Sequence, residues 1–114
     1  MPTFDVEKMF DQIGRDKEDL SKLFSTFTRV STKQIEELRC AIDEGDAEHL
    51  RAAAHCFKGS LGLFAAEPAT EITRQLEIHA REENFKSAKR AFAELEEECS
   101  RLKSDLAAFF DSIE

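Results

Sequence analysis

From Phe85 onward, apolar residues recur at alternating steps of three and four: Phe85, Ala88, Phe92, Leu95, Cys99, Leu102, Leu106, Phe109 and Ile113. A helix turns once in 3.6 residues, so this spacing draws one unbroken apolar stripe down a long helix. Such a stripe has to be buried, and it commits the rest of the chain to supplying the helices that bury it. The composition points the same way. Ten Phe stand beside no Trp and no Tyr, which reads as pure core filling, and two Pro with four Gly leave little punctuation for strands and turns.

Four earlier segments answer the stripe. Phe4 to Ile13 carries Val6, Met9, Phe10 and Ile13 on one face, a short helix that Gly14 can end. Asp16 can cap a second helix, in which Leu20, Leu23, Phe24, Phe27, Val30, Ile35, Leu38 and Ile42 keep helical spacing up to Gly45. β-Branched side chains near 30–32 lower helix propensity there and suggest a kink. Asp46 caps a third segment with Leu50, Ala54, Phe57, Leu61 and Phe64. Pro68 suits the first turn of a fourth, striped by Ile72, Leu76 and Ala80, and Asn84 can cap the last. Short links at Gly45-Asp46, Ala65 to Glu67 and Glu83-Asn84 make successive long helices antiparallel neighbours. The expected fold is all-α: an antiparallel up-down four-helix bundle with a short N-terminal capping helix, one domain over residues 1–114.

A net charge of −8 argues against a nucleic-acid partner and against an anionic membrane surface. No run approaches the eighteen or so apolar residues of a membrane span, so no membrane insertion is expected. The start, Met1-Pro2-Thr3-Phe4-Asp5, lacks the basic and apolar regions of a signal peptide. Three widely spaced cysteines suggest no disulfide framework, and a reducing cytoplasm is the expected location. Cys40 and Cys99 read as small core residues, His49 and His79 as surface or boundary residues. The runs Arg81-Glu82-Glu83 and Glu94 to Glu98 read as solvated faces. No ligand spacing supports a metal site built from His49, Cys56 and His79, and no P-loop or Gly-rich nucleotide loop is present.

The third segment breaks its own pattern. Gly59 and Gly62 are half of the protein's glycines, yet both fall inside a strong helical repeat, where each costs about 1 kcal/mol relative to Ala. With His55 set at zero and about 100° per residue, Leu50, Phe57, Leu61 and Phe64 fall at roughly 180° to 240°. His55 therefore points away from the core. Gly59 and Gly62 flank it at about 40° and 20°, with Arg51 and Lys58 within about 60°. An exposed imidazole on a strip cleared of side chains, with two cations beside it, suits a nucleophile that a large partner must reach. Close approach of a neighbouring helix is the rival account of the two glycines.

The stretch Ala54-His55-Cys56-Phe57-Lys58-Gly59-Ser60-Leu61-Gly62-Leu63-Phe64-Ala65-Ala66 resembles the signature of the histidine phosphotransfer (HPt) domain family of two-component phosphorelays. In looser form the resemblance runs from about Phe4 to Phe110 and includes Arg74-Gln75-Leu76-Glu77. It implies a four-helix bundle that shuttles phosphoryl groups between receiver-domain aspartates. His55 would be the phosphoacceptor through Nε2, Lys58 would steady the phosphoryl oxygens, and Gly59 would give the partner room. Glu77 on the following helix would hold the Nδ1–H tautomer of the ring. Arg51, Ser60 and Gly62 complete the expected partner surface. Two positions depart from the pattern: Ala65 stands where the family usually has Gly, and Cys56 where a hydroxyl or apolar residue is common.

The resemblance further implies a monomeric phosphorelay intermediate rather than an autonomous enzyme. It would hold no cofactor or metal of its own and rely on Mg²⁺ from the partner receiver domain. The implied partners are response-regulator receiver domains and a sensor or hybrid histidine kinase. Two readings from other classes compete with it. One is a non-catalytic helical interaction or dimerisation module, resting on the stripe from Phe85 to Ile113; the other is a metal-binding bundle enzyme.

Overall fold

The computed structural model describes residues 2–113, with the Ile113 side chain, Met1 and Glu114 outside the described set. Among the described residues the secondary structure is five helices: α1 Val6–Ile13, α2 Lys17–Glu44, α3 Ala47–Leu63, α4 Glu67–Arg81 and α5 Phe85–Ile113. Helices α2 to α5 form the antiparallel bundle, and α1 lies across the end of α3. None of the described helices is long and apolar enough to cross a membrane.

Local chemistry sets the helix starts. Asp16, Asp46 and Asn84 each accept a hydrogen bond from the backbone N–H three residues on, at 3.0, 3.0 and 3.2 Å. Asp5 does the same for Lys8 at 3.1 Å, so α1 begins one residue after an N-cap rather than at Phe4. Pro68 sits in the first turn of α4, where its missing N–H is no loss. Helix α2 runs unbroken across 30–32. There the hydroxyls of Thr28, Ser31 and Thr32 bond back to carbonyls one turn earlier, while Phe27 and Ser31 are buried against the bundle.

The stripe of α5 enters the core as the spacing requires. Ala88, Phe92, Leu95, Cys99, Leu102 and Leu106 are buried, with Phe85 and Phe109 packed at the margins and the Ile113 side chain outside the described residues. Leu50, Ala54, Phe57, Leu61 and Phe64 form the matching face of α3. At the α1 end the aromatic rings gather: Phe109 touches Phe4, Phe10 and Phe110, with centroids 5.7, 5.9 and 5.4 Å away, and Phe24 stacks on Phe110 at 4.8 Å. The Asp5 N–H donates to the Ala65 carbonyl at 3.1 Å, and Lys8 pairs with Glu67 at 2.7 Å. The last turn of α3 is thereby tied to α1.

Two expectations about single residues are corrected. Cys40 is exposed rather than a core residue: Leu38, Ala41 and Ile42 take the buried face of α2, and Cys40 falls on the opposite side. Partial desolvation, together with the carboxylates of Glu36, Glu44, Asp43 and Glu37, raises the Cys40 thiol above its ordinary value. Cys99 is buried as expected, and burial pushes its thiol up to about 12. Glu98 is not on a solvated face: it is buried beside the stripe, and Arg101 donates to it at 2.7 Å.

Helices α3 and α4 both end in a left-handed residue that is not glycine, Ala65 at φ 52° and Glu83 at φ 53°. In each case that residue's own N–H and the next one close back on the last turn: Ala65 to Gly62 and Ala66 to Leu61, Glu83 to Ala80 and Asn84 to His79. This is the Schellman arrangement, in which glycine avoids the Cβ clash that any other residue carries. Glu83 is exposed and makes no ion pair among those described. Glu83→Gly is expected to raise the unfolding free energy by about 1 kcal/mol, read as a higher urea midpoint at unchanged slope.

Candidate functional site

Helix α3 presents opposite faces to the core and to solvent. Phe57 is fully buried, while the side chain of His55, two residues earlier, is 69% exposed. The helix wheel thus places the imidazole correctly. On α4, Leu76 and Thr73 anchor the buried face, and Glu77 follows at its edge toward α3. Glu77 is only 5% exposed, an uncommon situation for a carboxylate without partners.

Its partners both come from α3. Glu77 Oε1 lies 2.6 Å from Lys58 Nζ, and Oε2 lies 3.6 Å from His55 Nδ1. The second distance is within ion-pair range but beyond hydrogen-bond length. The first is short, a charge-assisted contact in which hydrogen bonding and charge attraction act together. Burial alone would push the Glu77 carboxyl up, but the Lys58 ammonium, helped by His55, outweighs it and holds the carboxyl below its ordinary value. Glu77 is accordingly an anion pinned beneath the ring, with Nε2 as the ring nitrogen left to face outward.

The glycines settle the question that their sequence raised. A Cβ built on Gly59 or Gly62 would meet nothing within 4 Å. No atom of a neighbouring helix comes into van der Waals range of a Cβ at either position, so close packing does not require glycine there. Gly59 is exposed beside His55, while Gly62 is half-buried and lines an open groove with Lys8 and Gln12 of α1 and Thr70 and Arg74 of α4.

The remaining residues expected at the site divide. Arg51 is exposed but pairs with Glu48 on its own helix at 3.1 Å. Ser60 is half-buried, turned from the exposed strip toward the bundle. Lys58 stands near the ring but is directed inward to Glu77, and its side chain is 28% exposed. One residue was passed over in the sequence reading. Leu63, 45% exposed, is the large hydrophobic side chain that the described surface leaves open, two turns beyond His55 and about 80° round the helix. The signal was available, because Leu63 falls outside the apolar arc of α3 despite its type.

His49 and His79 are partly buried, and the set His49, Cys56 and His79 is not brought together. The acidic group that is gathered, Glu44, Asp46 and His49, lies at the α2–α3 turn, its ligand atoms within 4.8 Å of one another. Two of the three are already engaged: Asp46 caps α3, and the His49 ring meets Glu37 at 2.7 Å.

Comparison with known proteins identifies the family and the fold. The family model of the Hpt domain matches residues 16–105, a span that contains His55, Lys58, Gly59 and Glu77. The crystal structure of histidine-containing phosphotransfer protein B (HptB) from Pseudomonas aeruginosa PAO1 is similar at TM-score 0.88 and 25% identity, over 97% of this chain and 96% of that one. No curated protein sequence matches the chain. A bundle shared over nearly its whole length and a domain match over most of the sequence lead to one conclusion: the chain belongs to the Hpt domain family.

Proposed function

We propose that this chain takes a phosphoryl group onto Nε2 of His55 from a receiver-domain aspartate or a histidine kinase and passes it to the aspartate of a response regulator. The observation that carries the reading is an acceptor ring backed by a buried carboxylate, on a strip that two interior glycines leave open to the outside. In the transfer step the Nε2 lone pair attacks phosphorus and the P–O bond to the donor aspartate breaks. The bonding electrons return to that carboxylate, and the ring keeps its Nδ1 proton. Glu77 favours this by holding the proton on Nδ1, which leaves the Nε2 lone pair free to attack. Gly59 and Gly62 admit the partner's surface and Leu63 gives it an apolar foothold, while Arg51 and Lys58, each paired with a carboxylate in this structure, are the cations nearest the acceptor.

Metal chemistry is assigned to the partner. The carboxylate nearest the ring is buried and committed to Lys58 and His55, which suits it to orienting the acceptor rather than to holding Mg²⁺. The domain then acts as an intermediate in the relay and not as a kinase. The reading as a helical dimerisation module loses its main support, because the stripe of α5 is consumed in the chain's own core.

The experiment is to incubate the protein with phosphorylated receiver domains and to locate any phosphate by its chemistry and by fragmentation mass spectrometry. An acid-labile, alkali-stable phosphate on His55 is expected. Phosphate on another residue, or on none across several receivers, would overturn the proposal.

A further inference from the structure

We propose that Lys58 is handed from Glu77 to the phosphoryl group as His55 is charged, so that carboxylate and phosphoryl group compete for one ammonium and Glu77 governs how long the group is held. This rests on His55 as the acceptor, but it concerns a different event. In the uncharged protein Lys58 does not wait at the outer face: its Nζ lies 2.6 Å from Glu77 Oε1, inside the α3–α4 seam. A lysine so placed steadies a phosphoryl group only by leaving the carboxylate.

Several features make that exchange easy. Lys58 follows His55 by one turn, a spacing that brings the two side chains within about 5–6 Å at Cβ, so a flexible four-carbon stem reaches either anion. The contact with Glu77 is short, but the Lys58 side chain is 28% exposed, so the ammonium can turn outward without opening the seam. Open space around Gly59 and Gly62 gives the swinging side chain room. Against the single charge of Glu77, a phosphoryl group brings about two negative charges to the exposed side of the ring.

The handover changes Glu77 as well. In the uncharged protein the carboxylate is shared between Lys58 and the ring. Once Lys58 leaves, its remaining described partner is His55 Nδ1, and the buried charge bears fully on the Nδ1 proton. A ring that keeps this proton departs as neutral imidazole when the Nε2–P bond breaks, while one that has lost it would depart as imidazolate. The same motion thus steadies the phosphoryl oxygens and keeps the ring a good leaving group. Glu77 acts through Lys58 and His55 and is a positioning residue.

The test charges the full chain with phosphoramidate, a small phosphodonor that needs no partner, and follows the ¹⁵N–¹H signal of Lys58 Nζ, assigned by its loss in Lys58→Met. The signal is expected to move on charging, and in uncharged Glu77→Gln to resemble that of a solvated lysine already. Glu77→Gln is further expected to lengthen the phosphohistidine lifetime by about tenfold, because the ammonium is no longer contested. Most of that lengthening is expected to vanish when Lys58→Met is added. A Lys58 signal unmoved in a charged protein overturns the handover and leaves His55 as acceptor. A lengthening that survives Lys58→Met in full also overturns it, assigning Glu77 to the ring alone. Failure of phosphoramidate to label His55 overturns the acceptor reading beneath it. Circular dichroism on each variant separates these outcomes from unfolding, and the wild-type signal needs no variant.

Discussion

Gly59→Leu is expected to make the protein more stable and nearly useless to its partner. The backbone at Gly59 is ordinary helix, and a Cβ there meets nothing within 4 Å, so a side chain enters open solvent without strain. Replacing an interior helical glycine by a good helix former is worth about 1 kcal/mol, and Gly59→Ala should show that gain in a urea titration. The functional effect runs the other way. The introduced isobutyl group would rise beside His55 where a receiver surface has to bring its aspartyl phosphate into line with Nε2. A displacement of about 1 Å at a reacting centre costs on the order of a hundredfold in rate, and that loss is expected for phosphotransfer from a receiver. Phosphoramidate is small enough to pass the new side chain, so its reaction with His55 should fall far less. The ratio of the two rates is the measurement. A Gly59→Leu protein that accepts phosphate from a receiver at the wild-type rate would remove the steric explanation of the glycines.

That explanation was only half legible in the sequence. Spacing placed His55 opposite Phe57 and set Gly59 and Gly62 beside it, because a helix wheel is fixed once the helix is known. It could not exclude a neighbouring helix pressed against the glycines, since the distance between two segments is not a local quantity. Glu77 shows the same limit more sharply. No spacing rule joins residue 77 to residue 55, and family resemblance rather than periodicity suggested the pair. Resemblance in turn missed where Lys58 rests, because two anionic positions lie within its reach and only the folded seam shows which one holds it when His55 is uncharged. The caps Asp16, Asp46 and Asn84 were readable because they act within three residues. Ala65 and Glu83 were not, because a left-handed turn without glycine is imposed by the meeting of two helices against the residue's own preference. Cys40 and Glu98 failed for a related reason. Residue type and helix angle disagree at both: Cys40 is apolar in type yet lies opposite the buried face of α2, and Glu98 is charged yet lies beside the buried stripe of α5.

The converse of Gly59→Leu lies on the other side of the same helix. Phe57 is fully buried in the face that α3 turns to the core, about 200° round from His55. Phe57→Ala removes a ring whose space the surrounding side chains can only partly close, a change that costs about 3–5 kcal/mol. Domains of this size hold about 5–15 kcal/mol in total, so about a fifth of the stability or more is expected to go, seen as a large fall in the urea midpoint. Chemistry at the outer face should survive in whatever remains folded. Lys58 and His55 reach Glu77 from the α4 side of the helix, and the fully buried Leu50, Ala54 and Leu61 still seat α3 against the bundle. Phosphoramidate labelling of His55 per folded molecule is therefore expected to stay near the wild-type rate at low temperature and to collapse only with the fold. Loss of labelling in a Phe57→Ala protein that is still folded would show that the core face holds the ring in register. The acceptor would then depend on packing across the whole width of α3 and not on Glu77 alone.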